Sequence, residues 1–190
     1  MKKISTILTI LFLFVISVSA QTEHMKFMGI PITGTPVQMG AKLRAKGFVF
    51  KEKLDEDIRE YTGKFAGSNV TIDVVSRNNL VWKILVAYPE VSSFSRLRND
   101  YNDMVTQFSI KYGSPSKHYE FFKDPYYDGD GYELQALELD KCTYFTIWKL
   151  DYGNIAIQMS SNASLWISYE DAEGVKEKHY NENKQIQNDI

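Results

Sequence analysis

The chain has few of the residues that build covalent or metal-linked sites. It holds one cysteine, Cys142, in 190 residues, so no disulfide can form within it. Its three histidines, His24, His118 and His179, are separated by long stretches, and no HExxH or CxxC pattern occurs. A catalytic Cys142–His118 pair would lack the signature that surrounds cysteine nucleophiles. The sequence therefore predicts no cofactor, no metal site and no named reaction.

An excess of charge of either sign is also lacking. The formal net charge is −2, and 24% of the residues are charged. Such a balance favours solubility and lacks the basic excess typical of proteins that bind nucleic acid or anionic membranes. The chain is 44% hydrophobic and 14% aromatic, which is enough to build a core. We therefore expect a globular domain with neither nucleic acid nor membrane as its partner.

The single long hydrophobic run lies at the start of the chain. Lys2 and Lys3 precede an apolar run over residues 7–18, and Val18-Ser19-Ala20 offers the small residues that signal peptidase requires. The run is about a dozen residues long, whereas a membrane span needs roughly 20. No cysteine stands at the cut to carry a lipid. We expect residues 1–20 to be a signal peptide, cleaved before Gln21, and the product to be soluble and periplasmic or secreted.

Two helices are predicted from their end signals and from apolar spacing. Thr35, Pro36 and Gln38 have the spacing of a capping box, and Gly47 suits the end of this first helix. The second helix begins after Ser93. Its apolar stripe recurs at three- and four-residue steps, as expected of a helix that faces a core, through Phe94, Leu97, Tyr101, Met104, Val105, Phe108 and Tyr112.

Alternating polar and apolar residues predict strands after each helix. The predicted strands cover residues 61–65, 70–74, 80–88, 132–139, 143–150, 154–160 and 165–169. The charged stretch 51–60 is typical of a connector or a strand edge, and 119–131 of an irregular loop.

The order of these elements predicts an α+β fold built of tandem units, each a helix followed by three or four strands. Short turns between the strands indicate an antiparallel meander sheet, with the helices packed on one face. Residues 21–170 would form a single domain of two similar halves, about 21–90 and 91–170. The polar tail, 171–190, is expected to form a helix or to fray.

Four short segments resemble a group of small exported proteins common in gut Bacteroidetes. They are residues 27–32 (FMGIPI), 111–115 (KYGSP), 129–133 (GDGYE) and 167–171 (ISYED). The repeated helix and meander is also similar to the fold of beta-lactamase-inhibitor proteins and of small outer-membrane assembly lipoproteins. The leader departs from those lipoproteins because it has no cysteine to acylate. The resemblance implies a fold and export, and it implies no activity.

Acidic residues gather around the start of the fourth predicted strand, at Asp124, Asp128, Asp130 and Glu133. Their spacing does not fit an EF-hand loop, because positions one and twelve would be Tyr126 and Leu137. Alternating aspartate and glycine supplies the left-handed backbone of a turn. The segment therefore favours a turn over a calcium site, with incidental cation binding as the alternative.

The predicted binding residues are five aromatics in the segment 119–127. Aromatic side chains with nearby acids suit a protein interface or stacking against sugar rings. The alternative is that the two phenylalanines simply close the core under a loop. The tryptophans Trp82, Trp148 and Trp166 are expected on one sheet face, packed in the core. The five predicted binding residues are Tyr119, Phe121, Phe122, Tyr126 and Tyr127.

These observations favour an exported, non-enzymatic binding or interaction module for a protein or glycan partner. The alternative is a hydrolase of envelope or polymer substrates, with an active site dispersed along the sequence. An open sheet face with exposed aromatics would support binding. A deep pocket with converging histidine and carboxylate side chains would support catalysis.

The leader gives the first testable prediction. Protein recovered from the periplasm or medium should begin at Gln21, because signal peptidase cleaves after small residues such as Ala20. Intact-mass spectrometry of the exported protein measures this directly. A mass that retains the leader, or that carries an added lipid, would contradict the prediction.

Overall fold

A computed structural model of the chain describes residues 23–189, apart from some side chains of the last helix, His179 among them. The predicted signal peptide and its cleavage site lie outside these residues. The described residues form, in chain order, β1 (Lys26–Phe27), β2 (Ile30–Pro31), α1 (Pro36–Ala45), β3 (Val49–Lys53), β4 (Ile58–Phe65), β5 (Ser68–Arg77), β6 (Leu80–Ala87), α2 (Phe94–Tyr112), β7 (Lys117–Phe122), α3 (Glu133–Glu138), β8 (Cys142–Leu150), β9 (Gly153–Met159), β10 (Leu165–Asp171) and α4 (Ala172–Asp189).

Both predicted helices begin at the predicted caps. The Thr35 hydroxyl accepts a hydrogen bond from the Gln38 backbone N–H at 3.3 Å, and the Gln38 side chain accepts one from the Thr35 N–H at 2.9 Å. At α2, the Ser93 hydroxyl accepts from the Arg96 N–H. The capping box and the serine cap are therefore confirmed.

Eight strands form one antiparallel sheet in the order β3-β4-β5-β6-β10-β9-β8-β7. Each helix of the pair α1 and α2 is followed by a four-stranded meander, and the last strands of the two meanders lie side by side. In that central pair Ile84 lies opposite Tyr169, and Val86 opposite Ile167. The predicted α+β class with an antiparallel meander sheet is confirmed.

One face of the sheet carries the core, and we call it the covered face. Every second residue of β5, β8, β9 and β10 is buried there, as the two-residue period of a strand requires. Helices α1 and α2 and the β1–β2 hairpin supply the opposing side chains. Phe27 is fully buried and lies 5.3 Å, between ring centroids, from both Phe65 and Tyr169.

Two predicted elements are wrong. Residues 132–139, predicted as a strand, contain the helix α3, in which Ala136 and Leu137 are buried neighbours rather than alternating residues. Residues 117–122 form the edge strand β7, whereas 119–131 was predicted as an irregular loop. The strand was obscured because two adjacent apolar residues, Phe121 and Phe122, lie on opposite faces of β7 and hide the alternation.

The polar tail forms the helix α4, which packs against β6, β9 and β10. Gly174 allows this close approach, since a Cβ atom there would lie 2.1 Å from the Cβ of Trp82. Within the described residues, no helix has the length and apolar character needed to cross a membrane.

Leu97 tests the packing of α2 on the covered face. It is 1% exposed, so Leu97→Ala should lower the free energy of unfolding by about 2–5 kcal/mol through lost burial and a cavity. Ile110→Ala, on the same helix but 75% exposed, is the matched control and should change stability by less than about 0.5 kcal/mol. Urea unfolding measures both. Equal stabilities of the Leu97 variant and the parent would show that this side of α2 does not pack on the sheet.

Candidate binding surface

Helices α1 and α2 and the β1–β2 hairpin lie on the covered face, and α4 contacts the sheet near Trp82 and Tyr152. The rest of the second face has no covering layer in the part of the chain that the structure describes; we call it the open face. Residues that alternate with the core positions are half-buried or exposed along all of its central strands. Neighbouring strands bring these side chains into cross-strand contact. The apolar residues of the open face include Leu85, Ala156, Trp166, Phe145, Ile147, Tyr119 and Phe121.

Aromatic and aliphatic side chains cluster where β7 and β8 pair at one edge of the open face. The rings of Tyr119 and Phe145 lie 6.3 Å apart at an interplanar angle of 31°. Ile147 is the next residue of β8 on this face, and Phe121 the next of β7. Tyr119 is 42% and Phe121 43% exposed, although both are large and apolar. We call these four residues the aromatic patch.

A groove crosses the other half of the open face, over strands β4, β5, β6 and β10. It has a volume of about 1090 Å³ and is lined by Glu60, Asp73 and Trp166, among others. Glu60 and Asp73 lie directly opposite each other on β4 and β5. Trp166 lies on β10, opposite Ala87. We call this feature the carboxylate groove.

The two carboxylates of the groove differ in their partners. The Lys51 ammonium lies 2.5 Å from Glu60 Oε2 and 3.7 Å from Glu52 Oε1. Asp73 Oδ1 is buried and accepts no hydrogen bond, and the Trp166 Nε1–H is also buried and donates none. The groove thus contains an acceptor and a donor that protein groups leave unsatisfied.

Burial raises the pKa of Asp73 from 3.8 to about 6, with the neighbouring Glu60 carboxylate as the second cause; Lys51 acts in the opposite direction. Asp73 is therefore mostly charged at pH 7. At the centre of the same face, Lys83 and Glu170 pair at 3.0 Å, so their charges offset each other locally.

The five predicted binding residues do not form one site. Tyr119 and Phe121 lie on the open face within the aromatic patch. Phe122 points to the covered face, where its ring lies 6.0 Å from that of Phe94. Tyr126 is half-buried against the core, and Tyr127 is 65% exposed in the following loop.

The acidic segment before α3 is a turn held by its own side chains. Asp130 accepts hydrogen bonds from the backbone N–H groups of Tyr127 and Tyr132, and Glu133 accepts one from Gly129. Asp128 pairs with Arg98 of α2. Among the described residues no group of three potential metal ligands is found.

Cys142 and His118 are both occupied by structural contacts. Cys142 is 5% exposed, and burial raises the pKa of its thiol to about 12, so it holds its proton at neutral pH. The His118 ring accepts or donates at Thr146 Oγ1, 2.7 Å away, and lies 3.2 Å from Glu120. This arrangement gives no activated nucleophile.

Sequence reasoning missed the carboxylate groove. Glu60 was assigned to a charged connector, and Trp166 was expected in the core, where Trp148 does lie. The position of Asp73 could have been predicted, because residues 70–74 alternate between apolar and polar and place Asp73 on the polar side of its strand. Nothing in the sequence indicated that the pairing of β4 with β5 would place Glu60 opposite Asp73.

Comparison of the chain with protein-family models, with curated proteins and with solved structures finds no match. The resemblance to exported Bacteroidetes proteins and to the beta-lactamase-inhibitor fold therefore stays a prediction.

Asp73 should make stability depend on pH in an unusual direction for an acid. Between about pH 4 and pH 6 the Asp73 carboxyl is protonated in the native state and ionised in the unfolded state. The contribution of Asp73 to the free energy of unfolding therefore falls as the pH rises through that window. Asp73→Asn should therefore stabilise the protein at pH 7.5 by about 1 kcal/mol, after allowance for solvent screening.

Thermal melts of parent and Asp73→Asn at pH 4 and pH 7.5 measure this effect, which corresponds to roughly 2–4 °C at the higher pH. The difference should nearly vanish at pH 4. Glu138→Gln, an exposed carboxylate on α3, is the matched control and should leave the melting temperature unchanged at both pH values. A destabilised Asp73→Asn variant at pH 7.5 would contradict the account.

Proposed function

We propose that the chain is a non-enzymatic binding module that holds a partner protein on the open face of its sheet. The observation that carries the proposal is the aromatic patch, where Tyr119 and Phe121 expose over two fifths of their surface beside Phe145 and Ile147. Exposed apolar side chains that adjoin one another are typical of interaction sites. Aromatic anchors of this kind supply most of the energy in protein interfaces.

The extent and chemistry of the open face favour a protein over a glycan. Seven inter-strand spacings make the face roughly 34 Å wide, which suits the ~800 Å² that each partner contributes to a standard protein interface. Its apolar members include the aliphatic side chains Leu85 and Ile147 as well as rings. Aliphatic side chains complement apolar protein surface, whereas a sugar ring offers mainly hydroxyl groups and one stacking face.

The predicted signal peptide indicates where the partner protein would be met. An exported chain would meet its partner in the periplasm or outside the cell, and its freedom from internal disulfides means that packing alone stabilises it there. Membrane and nucleic acid remain unfavoured as partners because the net charge is only −2.

A hydrolase is the second candidate, and one observation favours it. Asp73, with its raised pKa, faces Glu60, and paired carboxylates of unequal pKa can act as general acid and base. Their groove is an open channel on the sheet, however, and Glu60 is paired with Lys51. Hydrolysis of nitrophenyl glycosides or esters that disappears in Asp73→Asn would favour this candidate over binding.

The double variant Tyr119→Ala/Phe121→Ala tests the proposed function. Protein captured from envelope extract by the parent chain is identified and purified, and its Kd for parent and variant is measured. We expect the variant to bind at least ~30-fold more weakly, since aromatic hot spots contribute about 2 kcal/mol or more. Both residues are exposed, so the variant should melt within a few degrees of the parent.

Ile110→Ala is the matched control, because it removes an equally apolar and even more exposed side chain from α2, on the covered-face side of the sheet. It should keep the parent's Kd. If the double variant binds the captured protein as tightly as the control does, the aromatic patch is not the binding surface.

A further inference from the structure

Among the described residues, Asp73 has no cationic partner within the carboxylate groove. Lys51 pairs with Glu60 and also lies 3.7 Å from Glu52, so its charge is already shared between two other carboxylates. Asp73 faces Leu85 on its other side, which offers it neither charge nor hydrogen bond. The remaining charged lining residues, Lys46, Lys64 and Glu90, are exposed to solvent. A half-buried carboxylate therefore lacks a donor.

The missing donor has to come from outside the chain. A buried carboxylate oxygen without a hydrogen bond destabilises the protein, and a charged donor that reaches it forms a stronger hydrogen bond than a neutral one does. A planar guanidinium can donate to two carboxylates at once and can also stack on an aromatic ring. Trp166 supplies such a ring in the same groove, together with a free indole N–H for a carbonyl oxygen.

We propose that the carboxylate groove captures an arginine side chain of the partner protein, with the guanidinium between Asp73 and Glu60 and its stem along Trp166. This inference rests on the proposed function, which it deepens by naming the chemistry of the contact. Charge complementarity carries it: Asp73 and Glu60 lie side by side, and of these two carboxylates only Glu60 is paired with a lysine. The aromatic patch at the opposite edge of the face would contact a separate, apolar part of the same partner.

The test uses the purified protein labelled with ¹⁵N and the probe N-acetyl-arginine-N-methylamide. The indole N–H signal of Trp166, assigned by its loss in Trp166→Phe, should shift saturably as the probe is added. The citrulline analogue has the same shape without the charge, and it should bind at least ~10-fold more weakly because charge-assisted hydrogen bonds are lost. Asp73→Asn should remove the response, whereas Glu138→Gln should retain it.

Two results would overturn the inference: equal responses to the arginine and citrulline probes, or an undiminished response in Asp73→Asn. A saturable shift of the Trp166 signal with cellohexaose, but none with the arginine probe, would assign the groove to glycans instead. A failure of the arginine inference can be told apart from a failure of the proposed function. If arginine binds nowhere in the groove but the captured protein still requires the aromatic patch, the groove inference alone is wrong.

Discussion

The pairing of β6 with β10 is the constraint on which the rest of the molecule depends. It joins two meanders into one sheet, and its register places Ile84, Val86 and Ile167 toward the helices. The same register leaves Leu85 and Trp166 on the open face. Because side chains alternate along a strand, a slip of one residue would exchange the two sets. Burial of the covered face therefore also fixes the composition of the open one.

The open face combines features that cost stability with features that serve binding. Large apolar side chains such as Phe121 remain in water, and the Asp73 carboxylate is half-buried without a hydrogen bond. Neither contributes to folding, and proteins commonly retain such features where function needs them. Under the proposed function, a bound partner would offset these local losses.

The sequence predicted much of the fold because local signals and tertiary packing agree there. The stripe of α2 has a helical period, and its residues Phe94, Leu97 and Tyr101 are buried as expected. Prediction failed where local signals conflict. In β7, Phe121 and Phe122 are adjacent and face opposite sides, so alternation is hidden, and α3 is too short for its period to show. The groove could not be predicted because Glu60 and Asp73 meet only through strand register.

One face of the sheet is buried and the other is open, and this difference can be measured in the free protein. Hydroxyl-radical footprinting of the free protein, read by mass spectrometry, compares Trp148 with Trp166, two identical side chains on opposite faces. We expect rapid oxidation of Trp166 together with Tyr119 and Phe121, and strong protection of Trp148, which is 1% exposed. Equal protection of both tryptophans would show that the second face is covered in the free protein and would contradict the account.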